Sequence, residues 1–205
     1  MRERPILFNG AMVRAILAGQ KTQTRRVAKG VAAVHARTGE ALADIDSAGP
    51  RVQCPFGQPG DRLWVRETWM PGYYHEADHE DGPKVSVIYR ADNAELTVTA
   101  PSVEFAERWE RDFSDDGDDA PPARPSIHMP RWACRLVLEI TAVRVERLQA
   151  ISTQDCLAEG ITTRFKVADA ADELRIRFCD LWNDTGGDWD SNPWVWVIEF
   201  KAVTP

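Results

Sequence analysis

The run Lys21-Thr22-Gln23-Thr24-Arg25-Arg26 carries the densest chemistry in the chain. Two hydroxyls, an amine and two guanidiniums follow one another there. A threonine hydroxyl attacks a carbonyl only when a base within hydrogen-bond reach takes its proton. Lys21 lies three residues before Thr24, so such a contact needs a turn or bend. A lysine serves as that base only with its pKa lowered by burial or by nearby cations, and Arg25 and Arg26 can supply the latter. The simpler reading needs no catalysis. Lys21, Arg25 and Arg26 would bind an anion, and Thr22 and Thr24 would be strand residues chosen for β-propensity. On motif chemistry alone, binding stands ahead of catalysis.

Other candidates carry less. His75 and His79 have the i, i+4 spacing of a helical metal pair. Their surroundings are acidic and follow Pro71-Gly72, so a solvated loop is the better reading and no metal is expected. Trp64, Trp69 and Tyr89 offer flat faces on which a nucleobase could stack. Trp64 reads as core, whereas Trp69 stays a substrate-binding candidate. Trp194 and Trp196 alternate on one strand face and read as core. Asp61 is expected to fix the turn after Gly60. The segment 184–190 is a turn signal around Gly186-Gly187. Cys54, Cys134, Cys156 and Cys179 form no CxxC pair and are expected to be thiols.

Several elements must position the polar run. Met12, Val13, Ile16 and Leu17 recur at helical spacing, which predicts a helix over 10–19 with Asn9 as cap and Gly19 as stop. Beyond it, Thr22 and Thr24 would share one strand face, with Gln23 and Arg25 on the other. Alternation predicts strands over 62–68, 84–90, 133–148 (one long bent strand or a pair) and 194–202. A short helix is expected over 102–111. Ser152-Thr153-Gln154-Asp155 resembles a capping box that opens a short helix ending at Glu159. Ala171, Leu174, Phe178, Leu181 and Trp182 share a face of a helix over 168–182. Segment 28–53 reads as a loop or insertion.

Composition bounds the rest. With 43% hydrophobic and 28% charged residues the chain is an ordinary globular one. No apolar stretch is long enough to cross a bilayer, and the N-terminus does not read as a signal peptide. A cytoplasmic protein with no membrane partner is expected. The net charge of -7 argues against broad attraction to nucleic acid, although many acids fall in two presumed loops, 75–81 and 112–119.

Three separated segments resemble one family. They are Ile16-Leu17-Ala18-Gly19-Gln20-Lys21-Thr22-Gln23-Thr24-Arg25-Arg26, Pro59-Gly60-Asp61-Arg62-Leu63-Trp64-Val65 and Trp196-Val197-Ile198-Glu199-Phe200-Lys201. Together with Ala158-Glu159-Gly160 they look like the ASCH domain of the PUA-like superfamily, whose signature is a helix followed by G-x-K-T-x-T-x-R. The resemblance implies an α+β fold: a small mixed β-barrel with peripheral helices and a cleft facing the Lys-Thr-Thr-Arg segment. It covers roughly half the chain and makes residues 1–205 one domain with insertions at about 28–53 and 69–131.

It also implies a function. Related small bacterial amidohydrolases remove the acetyl group from N4-acetylcytidine, and their proposed catalytic residues fall on Lys21, Thr24 and Glu159. Thr22, Arg25, Arg26 and Trp69 are then expected to bind substrate, with a modified nucleoside or RNA as partner and no cofactor. Two other readings remain open, a ribonuclease and a non-catalytic reader of RNA or modified nucleic acid. The chain also resembles longer ASCH proteins of phages and prophages. Its two long insertions depart from the small amidohydrolases.

Overall fold

The computed structural model describes residues 1–29, 53–75, 82–113 and 122–203; within these, the side chains of residues 73–75 and 168 are not described. Eight strands are present among the described residues: β1 (Glu3–Leu7), β2 (Gln23–Val27), β3 (Arg62–Arg66), β4 (Trp69–His75), β5 (Lys84–Tyr89), β6 (Ala94–Thr99), β7 (Val137–Arg147) and β8 (Trp194–Val203). The α-helices among the described residues are α1 (Gly10–Leu17), α2 (Val103–Phe113), α3 (Thr153–Ala158) and α4 (Ala171–Asp184). None is long and apolar enough to cross a membrane.

The strands form a five-stranded sheet of order β1-β3-β7-β8-β2 and a three-stranded sheet of order β4-β5-β6. Both are open. In the larger one, β1 and β2 are end strands that do not pair with each other, so among the described residues the expected closed barrel is absent. A barrel needs its end strands hydrogen-bonded, and these are not. The mixed α+β content stands.

The chain divides into two compact units. The first comprises Met1–Arg4, Ala15–Leu63 and Leu138–Val203; the second comprises Pro5–Arg14, Trp64–Val137 and Thr204–Pro205. The described part of the expected 69–131 insertion therefore falls wholly in the second unit. The 28–53 segment lies almost wholly outside the described residues, as does His79.

In the first unit β2 runs antiparallel to β8, with Gln23 opposite Glu199 and Arg25 opposite Val197. The buried core holds Leu148, Ile151, Cys156, Leu174, Phe178, Trp182, Val195 and Val197. The predicted face of α4 supplies Leu174, Phe178 and Trp182, while Ala171 is exposed and Leu181 half-buried. The predicted 133–148 strand is a single strand, β7, preceded by a 3-10 turn at Arg131–Ala133. Asp61 does fix its turn, accepting from the Arg2 backbone N–H at 2.7 Å and the Gln58 N–H at 3.3 Å.

In the second unit β4, β5 and β6 form an antiparallel meander. Its core gathers Trp69, Val85, Val87, Tyr89, Ala106, Trp109 and Met129. Arg135 grips the buried Glu67 through two bonds of 2.9 Å, and its guanidinium lies 4.1 Å from the Tyr89 ring centre. Sequence reasoning missed β4 and β6. Pro71-Gly72 signals a break, yet the strand continues past it through a register shift between Pro71 and Tyr74. β6 is mostly exposed, so no buried face marks it. Since His75 ends a strand, the helical i, i+4 argument for a metal pair has no footing there. No group of three or more potential metal ligands occurs among the described residues.

Candidate functional site

The backbone around Lys21 is held from three sides, all within the first unit. Its N–H donates to the Ala15 carbonyl at the end of α1, at 3.0 Å. The next N–H, of Thr22, reaches Ala158 at 2.8 Å, while the Thr22 carbonyl accepts from Phe200 of β8 at 2.8 Å. Lys21 and Glu159 thus form an isolated antiparallel bridge. Gly19 ends α1 in the left-handed region, at φ 70°, as the sequence predicts.

Glu159 is placed by α3. Ser152 caps that helix: its hydroxyl accepts from the Asp155 N–H, and the Asp155 carboxylate accepts from the Ser152 N–H. The chain then turns at Gly160, where φ is +88° and an added Cβ would meet Ala15 at 3.0 Å and Lys21 at 3.1 Å. A glycine is required there both for the turn and for the close approach of α1.

The side chains converge in a buried ion-pair cluster. Lys21 Nζ donates to Glu159 Oε2 at 2.6 Å and to the Glu159 carbonyl at 3.0 Å. Arg25 Nη1 donates to Glu159 Oε1 at 3.1 Å, so the two carboxylate oxygens face two different cations. Arg25 Nη2 lies 2.5 Å from Glu146 and 3.3 Å from Asp155. Arg144 joins the same acids, 3.2 Å from Glu146 and 2.7 Å from Asp155, and also bonds Glu199. Arg26 donates to Thr24 Oγ1 at 2.9 Å and to the Arg25 carbonyl at 3.0 Å.

Burial decides what this cluster can do. Lys21, Thr24, Arg25 and Glu159 are between 1% and 4% exposed. Burial pushes the Lys21 amine below its ordinary 10.5; the Glu159 carboxylate opposes this, and Arg26 and Arg25 add to it. The two cations thus act in the sense the sequence suggests, and Glu159 opposes them by pairing directly. Burial raises Asp155, but the hydrogen bonds from Ser152 and the charge of Arg25 outweigh it and hold the carboxyl at about 2. The four cations Lys21, Arg25, Arg26 and Arg144 face the four carboxylates of Glu146, Asp155, Glu159 and Glu199, so the cluster balances its own charge.

The expected site residues are therefore distributed unequally. Lys21, Arg25 and Glu159 are in direct contact, and Thr24 is tied to Arg26. Thr22 is exposed, unlike Thr24. Arg25, expected to bind substrate, has a fully buried side chain whose two terminal nitrogens contact three carboxylates. Trp69 belongs to the core of the second unit, 1% exposed, with Trp109 and Trp132 as ring neighbours. Sequence reasoning missed Arg144 and Glu146. Their signal was available: two charges at alternate positions of a long apolar strand mark a face that meets other charges. The sequence marks Asp155 only as part of the cap of α3.

No protein-family model matches the chain, and no curated protein matches it. Among solved structures the chain is similar to one described as an ASCH domain from Lactobacillus crispatus JV V101. The similarity covers 100% of this chain and 81% of that one, at 11% identity and a TM-score of 0.38.

Proposed function

We propose that the first unit is an ASCH-type nucleoside site and that Lys21, Thr24 and Glu159 hydrolyse an N-acyl group on cytidine or a related base. The observation that supports this reading is the Lys21–Glu159 contact of 2.6 Å between buried groups of opposite charge. Such a pair can take up a proton and return it within one turnover. The sequence resemblance supplies the substrate class.

In this reading Thr24 Oγ bonds to the acyl carbon, and its proton passes to the Lys21–Glu159 pair. The Arg26 guanidinium, already a donor to Thr24 Oγ1, favours the negative charge that develops as the hydroxyl gives up that proton. The carbon–nitrogen bond then breaks and the proton goes to the departing amine. Water hydrolyses the acyl-threonine ester, which frees the carboxylic acid and restores the hydroxyl. Each step uses the chain's own groups, and the reading calls for no cofactor.

One observation favours a second reading. Thr24 and Lys21 are 1% and 2% exposed, so a substrate reaches them only if the site opens. If it does not open, the cluster is structural, and the protein is a reader that binds nucleic acid or a nucleoside without turnover. The deciding experiment incubates the purified protein with a panel of N4-acylated cytidines and short single-stranded RNAs, followed by mass spectrometry. Loss of the acyl mass supports hydrolysis. Binding without mass change supports the reader, and shortened RNA supports a nuclease; either result overturns the hydrolase.

A further inference from the structure

We infer that Arg25 is a positioning residue rather than a substrate-binding one: anchored by Glu146 and Asp155, it shares the Glu159 carboxylate with Lys21 and, by competing for that acid, sets how tightly the pair keeps its proton. This inference rests on reading Lys21 and Glu159 as the proton-transfer pair.

The geometry carries it. Arg25 Nη1 meets Glu159 Oε1 at 3.1 Å, while Lys21 Nζ meets Oε2 at 2.6 Å. The carboxylate is therefore clamped between two cations, one on each oxygen. Arg25 in turn is fixed by Glu146 of β7 at 2.5 Å and by Asp155 of α3 at 3.3 Å. Those two acids are themselves held by Arg144. On the α4 side, the Arg25 guanidinium lies 5.7 Å from the centre of the Phe178 ring. With 0% of its side chain exposed and both terminal nitrogens already on carboxylates, this guanidinium presents no surface to a substrate phosphate or base, and its one unpartnered donor, Nε–H, is itself buried.

The arrangement also has a gradient. Lys21 and Arg25 have fully buried side chains, Glu146 and Asp155 are 20% and 19% exposed, and Arg144 and Glu199 are 37% and 41% exposed. The half-buried acids touch Arg25, and Arg25 touches the acid that pairs with Lys21. The groups that bear on Lys21 electrostatically are Glu159, Arg26 and Arg25. Removing Arg25 takes away a like charge and so favours the protonated amine. Removing Glu146 takes away an opposite charge and releases Arg25 toward Glu159, which disfavours it.

The test reads Lys21 directly and needs no substrate. The Lys21 ε-methylene signal is assigned by its loss in Lys21→Arg and titrated by NMR in full-length protein. Arg25→Gln is expected to raise the midpoint, Arg25→Lys to restore part of the shift, and Glu146→Gln to lower it. Midpoints that stay put in folded Arg25→Gln and Glu146→Gln overturn the proposal. If Arg25→Gln does not fold, the Glu146→Gln titration decides alone. Where the wild type turns over an acylcytidine, Arg25→Gln must also shift the pH profile of kcat while KM stays within about twofold. A raised KM with unchanged kcat would assign Arg25 to the substrate and overturn the proposal. A wild type without turnover removes the hydrolase reading, while the titration still judges Arg25.

Discussion

Thr24 and Asp155 show how differently two polar residues of one cluster can act. Thr24 is buried, and Arg26 occupies one lone pair of its hydroxyl. In the proposed hydrolysis Thr24 supplies the attacking hydroxyl, which a methyl side chain cannot replace. Thr24→Ala should lower turnover of an acylcytidine by about a thousandfold, while Thr24→Ser stays within about tenfold. Single-turnover rates of the two variants check this, and equal rates for alanine and wild type would return Thr24 to the role of a strand residue. Asp155 makes a prediction about stability instead. Its folded pKa of about 2 lies below its ordinary 3.8, so the carboxylate form is favoured in the folded protein. The stabilisation is fully present above about pH 4 and disappears as pH falls toward 2. Its size is about 1 kcal/mol, an order of magnitude taken from the shift at 1.4 kcal/mol per unit and reduced for the water that screens a partly exposed carboxylate. Denaturant melts of Asp155→Asn should lose that part of the acid dependence, and the gap to wild type should close as the pH approaches 2.

Among the elements, the short helix α3 and its exit turn place Glu159, and they do so through one cap and one glycine. A hydroxyl cap of this kind contributes about 1 kcal/mol, so Ser152→Ala should cost roughly that in stability. Gly160 is more demanding. Its φ of +88° resembles the +84° of Gly186, yet a Cβ meets Ala15 at 3.0 Å at Gly160 and meets nothing within 4 Å at Gly186. Alanine at either position suffers the same backbone strain, about 1 kcal/mol. Only Gly160→Ala also pushes α1 and Lys21 away. Its denaturation midpoint should fall further than that of Gly186→Ala, and the Lys21 signal should shift in the first variant alone. Equal midpoints would mean that the contact yields freely. The cap was readable as Ser152-Thr153-Gln154-Asp155, because capping is local chemistry with a fixed spacing. The close approach at Gly160 was not, because Ala15 lies far away in sequence.

At the scale of the whole chain, the legible features were those in which one strand or helix face alternates strongly. Leu63 and Val65 in β3, and Leu174, Phe178 and Trp182 in α4, sit in their cores as periodicity suggests. What escaped was set by long-range pairing. β4 runs through Pro71, β6 lacks a buried face, and the end strands β1 and β2 leave the five-stranded sheet open. The site was legible to the same extent. Lys21 and Thr24 stand in a motif, but the neutralising acids Glu146 and Asp155 come from β7 and α3. That neutrality bears on what the protein can bind. The chain has a net charge of -7, and the cluster matches its cations with carboxylates. A polyanion held by Z phosphate contacts releases counterions, and its affinity falls with salt at a logarithmic slope of about -0.7Z for single strands. An uncharged nucleoside releases none. Binding of N4-acetylcytidine, followed by calorimetry, should therefore change less than about twofold between roughly 50 and 500 mM salt. Binding of a short RNA should be weak and lost over the same range. Tight RNA binding with a slope of about -3 or steeper would show that the protein gathers phosphates at a surface other than this neutral cluster, and the nucleoside reading would give way to a reader of polymer.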